Sequence, residues 1–396
     1  MFSKPPVIIY YYIIYIYMEN NIFLNSNFIF IILALFLLII IQFIYKSLDN
    51  NNFCKNVKKQ THNNNTITDN INKDVEIKDL TFKSSYNTCC VGNYKFDYVD
   101  LCGIVNAYNN NACCLDFQIF SKRNNPVIAC STSLSTQYKE TFNHIPFSEA
   151  MKKVNEVYMN ESSGQNYPLF LNLRLYTSNI DTLNYLHEHI TSIFGYENIY
   201  TTKNTFGDVT INDIIDKIIL IVDIDSRISE NLHENFDKSK LKEITTLTNS
   251  NNDYNNLYNS YRYDENIVNT NNVSNKDELS ALYPPNTPTA LNYDINIPRH
   301  FNFMFINFQT NDIYLQKYNN KFIDKIQVLD YNTNITTSTK PKVSYEQQST
   351  SGASRDQADA EQSTRGAQGD RKGRADAEQS MWGGRGRRDG ESGRRS

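Results

Sequence analysis

Hydrophobic and polar positions divide the chain into an apolar stretch, a polar stretch, a patterned middle and an unpatterned tail. Residues Phe28 to Tyr45 read FIFIILALFLLIIIQFIY, with one amide and no charge. At 1.5 Å per residue such a helix nearly crosses a hydrocarbon core of about 30 Å, so the run predicts a transmembrane helix or uncleaved anchor. A cleaved signal peptide would need a basic start, a shorter core and a small-residue site, and Lys46-Ser47-Leu48-Asp49 offers none. Within the N-terminal segment 1–27, the Tyr-rich run Val7 to Met18 suits an interfacial segment, with Met18 as an alternative start. Lys46, Lys55, Lys58 and Lys59 follow the span, whereas the preceding stretch carries Glu19 and no nearby Lys or Arg. The positive-inside rule then predicts a single-pass protein with its large domain in the cytoplasm.

From 46 to 78 the chain is Asn, Lys, Asp and Thr with little apolar periodicity, which predicts a flexible linker. Beyond it, strand and helix patterns alternate. Asp79 to Cys89 reads as a strand and Lys95 to Tyr108 as a helix with Tyr98, Leu101, Cys102, Val105 and Tyr108 on one face. Short apolar runs follow at Leu115 to Phe120 and Pro126 to Cys130. Then come a helix over Phe147 to Met159, a strand over Tyr167 to Tyr176, a helix over Ile180 to Phe194 and a strand over Lys217 to Asp223. Such alternation predicts a parallel barrel or a doubly wound sheet spanning 79–331. The pattern dissolves over 226–280, read as a partly disordered polar insertion, and order returns at Leu282.

Composition changes this picture little until the tail. The net charge of −4 gives no bulk support to a duplex-binding surface, and no nucleic-acid partner is expected. Seven cysteines, Cys54, Cys89, Cys90, Cys102, Cys113, Cys114 and Cys130, are too few for a disulfide scaffold, and none has zinc spacing. The vicinal pairs read as compact core residues. Sequons at Asn64, Asn160, Asn272 and Asn334 carry little weight in so Asn-rich a chain. The end of the 332–396 segment holds nine of the fourteen glycines and repeats ADAEQS at Ala358 and Ala375, which predicts a disordered low-complexity tail. Its Gly383 to Arg388 segment has an Arg-Gly character, but acidic residues nearly balance the basic ones.

The residues from Lys83 to Phe147 carry a resemblance. Ser84-Ser85-Tyr86-Asn87-Thr88, Cys114-Leu115-Asp116-Phe117-Gln118 and Pro126-Val127-Ile128-Ala129-Cys130-Ser131 resemble the X-box half of the phosphatidylinositol-specific phospholipase C superfamily. There the corresponding runs are Ser-Ser-His-Asn-Thr, Cys-Leu-Glu-Leu-Asp and Pro-Val-Ile-Tyr-His-Gly. The match is closer to the divergent branch of large DNA viruses, with Tyr-Asn-Ser-Cys and Leu-Asp-Phe-Glu-Ile-Tyr. Later, Leu282-Tyr283-Pro284, Asn292-Tyr293-Asp294 and Asn307-Phe308-Gln309-Thr310 resemble the family's second half. The resemblance selects a distorted TIM (β/α)8-type barrel.

The family's chemistry is where this chain departs. Its two catalytic histidines fall on Tyr86 and Cys130, whose reference pKa values of about 10 and 8.5 suit neither acid nor base work near neutrality. Its calcium ligands fall on Asn87, Asp116, Gln118 and Arg174, and a guanidinium there repels a hard dication, so no metal or other cofactor is expected. Its phosphate-binding Lys-x-Lys falls on Ile221 and Asp223, and its arginine on Ala281; only Tyr283, which in the family stacks on the inositol ring, is kept. Three functions follow from the resemblance. The first is a membrane-anchored, catalytically degenerate barrel binding a phosphoinositide headgroup or a protein partner. The second is an active calcium-independent phosphodiesterase rebuilt on Arg174 and His144. The third is a structural viral protein of a host or virion membrane. His187 and His189 read as helix-surface residues.

Overall fold

The computed structural model describes residues 26–59, 73–133, 137–159, 167–201, 205–225, 227–249, 258–263, 279–297, 300–322 and 325–328. The expectations for Val7 to Met18, the four sequons and the tail lie outside these residues.

Eleven strands form one sheet: β1 (Leu80–Ser85), β2 (Cys114–Lys122), β3 (Asn125–Ala129), β4 (Ile145–Pro146), β5 (Leu169–Leu175), β6 (Ile218–Ile224), β7 (Leu247–Thr248), β8 (Tyr258–Arg262), β9 (Leu279–Tyr283), β10 (Phe303–Ile306) and β11 (Ile326–Val328). The order β7-β6-β5-β2-β1-β10-β9-β8 is parallel throughout and curls into a nearly closed, TIM-like barrel. Among the described residues no ladder joins β7 to β8, and that seam is the barrel's opening. Strands β5 and β6 are buried almost end to end, as parallel strands covered on both faces must be, which explains their near-continuous apolar runs. Below the mouth, the rings of Phe82, Phe170 and Phe303 lie 4.5–5.3 Å apart and fill the lumen.

Three expectations need correction. First, Pro126 to Cys130 does not supply a parallel strand: β3 runs antiparallel to β2, pairing Lys122 with Asn125 across a two-residue turn. Arg123 and Asn124 take φ of 52° and 66°, the paired positive values of a type I′ hairpin, a turn that Arg-Asn announces far less clearly than Asn-Gly. Second, the linker is not flexible from its start. Helix α1 (Ser26–Lys59) continues past the apolar run, and Val57 is buried against the domain. Third, 226–280 is not merely a polar insertion. It contributes β7, β8 and buried Leu232, Phe236, Leu241 and Ile244; residues 250–257 and 264–278 lie outside the described ones.

Helix α2 (Cys102–Asn109) starts later than its spacing predicts. The carboxylate of Asp97 accepts from the backbone N–H groups of Asn93 and Tyr98, both at 3.0 Å, and so organises a loop where the helix was expected. Gly103 is required there, because a Cβ would strike the carbonyl of Thr88. Then follow α3 (Phe147–Val154), α4 (Ile180–Phe194), α5 (Ile211–Ile214), α6 (Leu232–Lys238) and α7 (Ile313–Lys321). Asn179 caps α4 by accepting from Thr182 N–H at 2.9 Å, and Asp312 caps α7 by accepting from Leu315 N–H at 2.8 Å.

Lys83 is buried in β1 and donates to the Phe322 carbonyl at 3.1 Å; burial lowers its pKa from 10.5 to about 8. Between these values the unfolded chain holds a proton that the folded chain lacks, so this group makes stability rise with pH across pH 8–10.5, by about 3 kcal/mol in all. Denaturation from pH 7.5 to 10.5 should show wild type gaining on Lys83→Met across that window. Parallel profiles would refute this.

Candidate functional site

Period-two alternation aims the polar residues of otherwise apolar strands into the barrel. Asp116 pairs in register with Asn172, Gln118 with Arg174, and Arg174 with Asp223, which sets these groups at the carboxyl ends of adjacent strands. At that end, the catalytic face of barrels of this type, they converge on Arg174. Its Nε donates to Asp116 Oδ1 and its Nη2 to Asp116 Oδ2, both at 2.7 Å. Nη2 also donates to Asn87 Oδ1, and Nη1 donates to the Tyr86 hydroxyl at 3.1 Å. The guanidinium carbon lies 4.4 Å from the centroid of the Tyr86 ring and 5.4 Å from that of Tyr283. Although burial opposes the charge, the Asp116 carboxylate more than offsets it and holds Arg174 firmly protonated.

Asp116 is fully buried and fully engaged. Besides Arg174 it accepts from Asn172 Nδ2 and from the Asn87 backbone N–H, each at 2.8 Å. Asn87 takes φ of 43°, a value Asn tolerates, to present that N–H. Asn172 Nδ2 also donates to the Tyr283 hydroxyl at 2.8 Å, and Tyr283 lies 4.7 Å from Phe305, nearly parallel to it. Two buried atoms of this network, Asn87 Nδ2 and Asn172 Oδ1, have no protein partner.

The structure brings Tyr86, Asn87, Asp116, Arg174 and Tyr283 together but not the other sequence candidates. Gln118 is spent on the chain after β3, donating to the Ser131 carbonyl at 3.0 Å and accepting from its N–H at 2.6 Å. Cys130 is buried beside Cys90, and burial raises its thiol pKa well above normal. His144 sits outside the network, with Nε2 3.0 Å from Lys122 Nζ; burial and the Lys122 and Lys139 charges lower its pKa. His144 directly precedes β4, which pairs with β3 on the edge away from β2. Calcium does not fit these residues: both oxygens of Asp116 and the oxygen of Asn87 face the Arg174 guanidinium, and Gln118 is turned away.

Beside this network a cleft of about 510 Å³ opens at the β7–β8 seam, lined by Arg174, Tyr176, Asp223, Arg227, His233, Asn249, Arg262 and Tyr283, among others. Asp223 accepts from Asn249 Nδ2 at 2.5 Å, and burial raises its pKa. Arg227 is paired with Asp225 at 2.6 Å. Arg262, on β8, donates to the Tyr86 hydroxyl at 3.1 Å and lies 5.7 Å from the Tyr283 ring centroid, and among the described residues no carboxylate pairs with it. Sequence reasoning missed Arg262, Asn172, Asn249 and His233. For Asn172 the signal was present, two positions before Arg174 on the same face of a strand. For Arg262 there was little, because β8 lies between Asn-rich runs.

No family profile and no curated protein sequence matches this chain. Solved structures do. PLC21 of S. officinalis superposes with a TM-score of 0.51 at 12% identity, covering 66% of this chain and 38% of that one. PLC21 of L. pealei gives 0.51 at 14% identity with the same coverage, 66% and 38%. The likeness is one of fold, and this chain spans well under half of those proteins' length.

Proposed function

We propose that the protein is a membrane-anchored phospholipase C-like barrel that has lost catalysis and binds a phosphate-bearing lipid headgroup, with inositol phosphate as the leading ligand class. The observation that carries this reading is the Arg174–Asp116 pair, which fills the place of a cation with a salt bridge and has the Tyr86 hydroxyl, not a histidine, hydrogen-bonded to its guanidinium. Ligand binding is supported by Arg262, a cation without a carboxylate partner among the described residues, poised beside the Tyr283 ring. Asn87 Nδ2 and Asn172 Oδ1 add a spare donor and acceptor. The apolar, exposed part of α1 supplies the anchor. A protein partner, and a host or virion membrane as implied by the likeness to large DNA viruses, belong to the same reading.

Calorimetry of the full-length protein in nanodiscs should detect inositol 1-phosphate binding, and Arg262→Ala should weaken it about 10-fold or more, the worth of one hydrogen bond to a charged group. Unchanged affinity in the variant would remove Arg262 from the site.

The lysines after the span favour a cytosolic barrel. A specific observation favours the opposite side: Cys54 of α1 and Cys102 of α2 form a disulfide, a bond that oxidising compartments preserve. Thiol alkylation of these two residues in intact cells separates the readings, since a cytosolic barrel would carry them reduced.

A further inference from the structure

We infer that the part of α1 beyond its apolar run is a clamp on the headgroup site: Lys46 and the Cys54–Cys102 disulfide hold the loop that follows β1, so that ligand affinity depends on helix docking and on the redox state of that bond. The inference rests on the headgroup reading above and deepens it by naming what regulates the site.

The chain from Tyr86 to Cys102 begins in the site and ends on the anchor helix. At its start the Asn87 N–H donates to Asp116 Oδ2 at 2.8 Å, and the Tyr86 hydroxyl accepts from Arg174 and Arg262, each at 3.1 Å. Towards its end the buried Asp97 carboxylate pairs with Lys46 Nζ at 2.7 Å while accepting from the Asn93 and Tyr98 N–H groups. Cys102 follows, bonded to the half-buried Cys54. On either side of these ties α1 keeps contact: the Phe43 ring lies 5.8 Å from that of Tyr98, and Asn109 Nδ2 donates to the Val57 carbonyl at 3.3 Å.

The loop transmits the clamp because its limbs are joined. The Asp100 N–H donates to the Cys89 carbonyl at 2.8 Å, and the Val91 N–H donates to the Tyr98 carbonyl at 3.3 Å. Between them Tyr94 is fully buried, its ring edge-on to that of Tyr86 at 5.7 Å and its hydroxyl donating to Asn307 Oδ1. Gly103 of α2 lies against the carbonyl of Thr88, whose N–H donates to the Asp116 carbonyl at 2.8 Å and whose hydroxyl accepts from the Asp116 N–H at 3.0 Å. The loop is also held in a conformation that it would not keep unaided. Phe96, next to Asp97, takes φ of 54°, a left-handed value that a bulky residue keeps only where its surroundings impose it. Lys46 supplies the charge that lets Asp97 stay buried at the centre of that turn. Opening the disulfide takes two electrons and two protons from a dithiol, which closes to a disulfide itself, and leaves Cys54 and Cys102 as separate thiols. With either tie gone, the strain at Phe96 relaxes through the loop, and the segment that moves is the one presenting the Tyr86 hydroxyl and the Asn87 N–H.

The test is calorimetry with inositol 1-phosphate on the full-length protein in nanodiscs. Wild type reduced with dithiothreitol, Cys54→Ser and Lys46→Met are each expected to bind about 5-fold or more weaker than untreated wild type, the lower end of ordinary coupling between sites. Lys46→Arg should bind as wild type does, and dithiothreitol should change nothing further in Cys54→Ser. Reoxidation of the reduced wild type should restore its affinity, which distinguishes release of the clamp from misfolding. Hydrogen exchange on the same samples should show the Asn93 and Tyr98 amides losing protection in Lys46→Met. Wild-type affinity in Cys54→Ser or in Lys46→Met, with Arg262→Ala still weakened, overturns the clamp and leaves the headgroup reading intact. Absence of binding by the untreated wild type overturns the headgroup reading and this one with it.

Discussion

Replacing Arg174 with alanine is expected to cost the domain about 3–5 kcal/mol, a large share of the 5–15 kcal/mol that holds an ordinary domain folded. The physical cause lies in Asp116, whose side chain is fully buried. Without the guanidinium, Asp116 would keep only the Asn172 amide and the Asn87 N–H as donors against the cost of a buried charge. Tyr86 and Asn87 would lose a donor as well. Replacing both members, Arg174→Met with Asp116→Asn, should recover much of the loss, since it removes both buried charges and leaves an acceptor for the Asn87 N–H. Urea denaturation of the full-length protein in detergent measures all three. An Arg174→Ala loss under about 1 kcal/mol, the range of a surface pair, would show that the network is solvated and not buried.

Much of the fold was legible because parallel strands covered on both faces must be apolar, and β5, β6 and α4 could be read almost to the residue. What was hidden depended on geometry that periodicity does not encode. A strand preceded by Arg-Asn and one preceded by a crossover look alike, so the antiparallel course of β3 was invisible. With it was hidden the fact that His144 would return to Lys122 instead of the barrel centre. The continuation of α1 was masked by its Asn and Lys content, since docking there relies on Lys46, Cys54 and Val57 and not on an apolar face. Within the site, an arginine at 174 was named from the sequence, where the resemblance implies a carboxylate. Its consequence, a bidentate pair with Asp116, required the register that sets β2 beside β5.

The second large effect concerns catalysis. Placing histidines where the resemblance implies catalytic ones, Tyr86→His with Cys130→His, is expected to leave phosphatidylinositol hydrolysis at background. General acid–base catalysis contributes roughly 10²–10⁴-fold, and stabilisation of charge on the phosphoryl group usually contributes as much or more. The double variant supplies only the first. It also removes the Tyr86 hydroxyl that accepts from both Arg174 and Arg262, while the Arg174–Asp116 pair stays closed. Rebuilding a calcium site would further need Arg174→Glu, Gln118→Asp and Asp116→Glu, with Gln118 released from Ser131. A gain of several orders of magnitude from the histidines alone would show that the barrel already stabilises the transition state by other means.

The most direct measurement is release of soluble inositol phosphate from phosphatidylinositol vesicles by the full-length wild-type protein, with calcium and with a chelator. Background release is expected in both, alongside headgroup binding that depends on Arg262. Turnover at ordinary enzymatic rates, about 1–10³ per second, abolished by His144→Ala or by Arg174→Lys, would contradict it and establish a rebuilt, metal-independent phosphodiesterase.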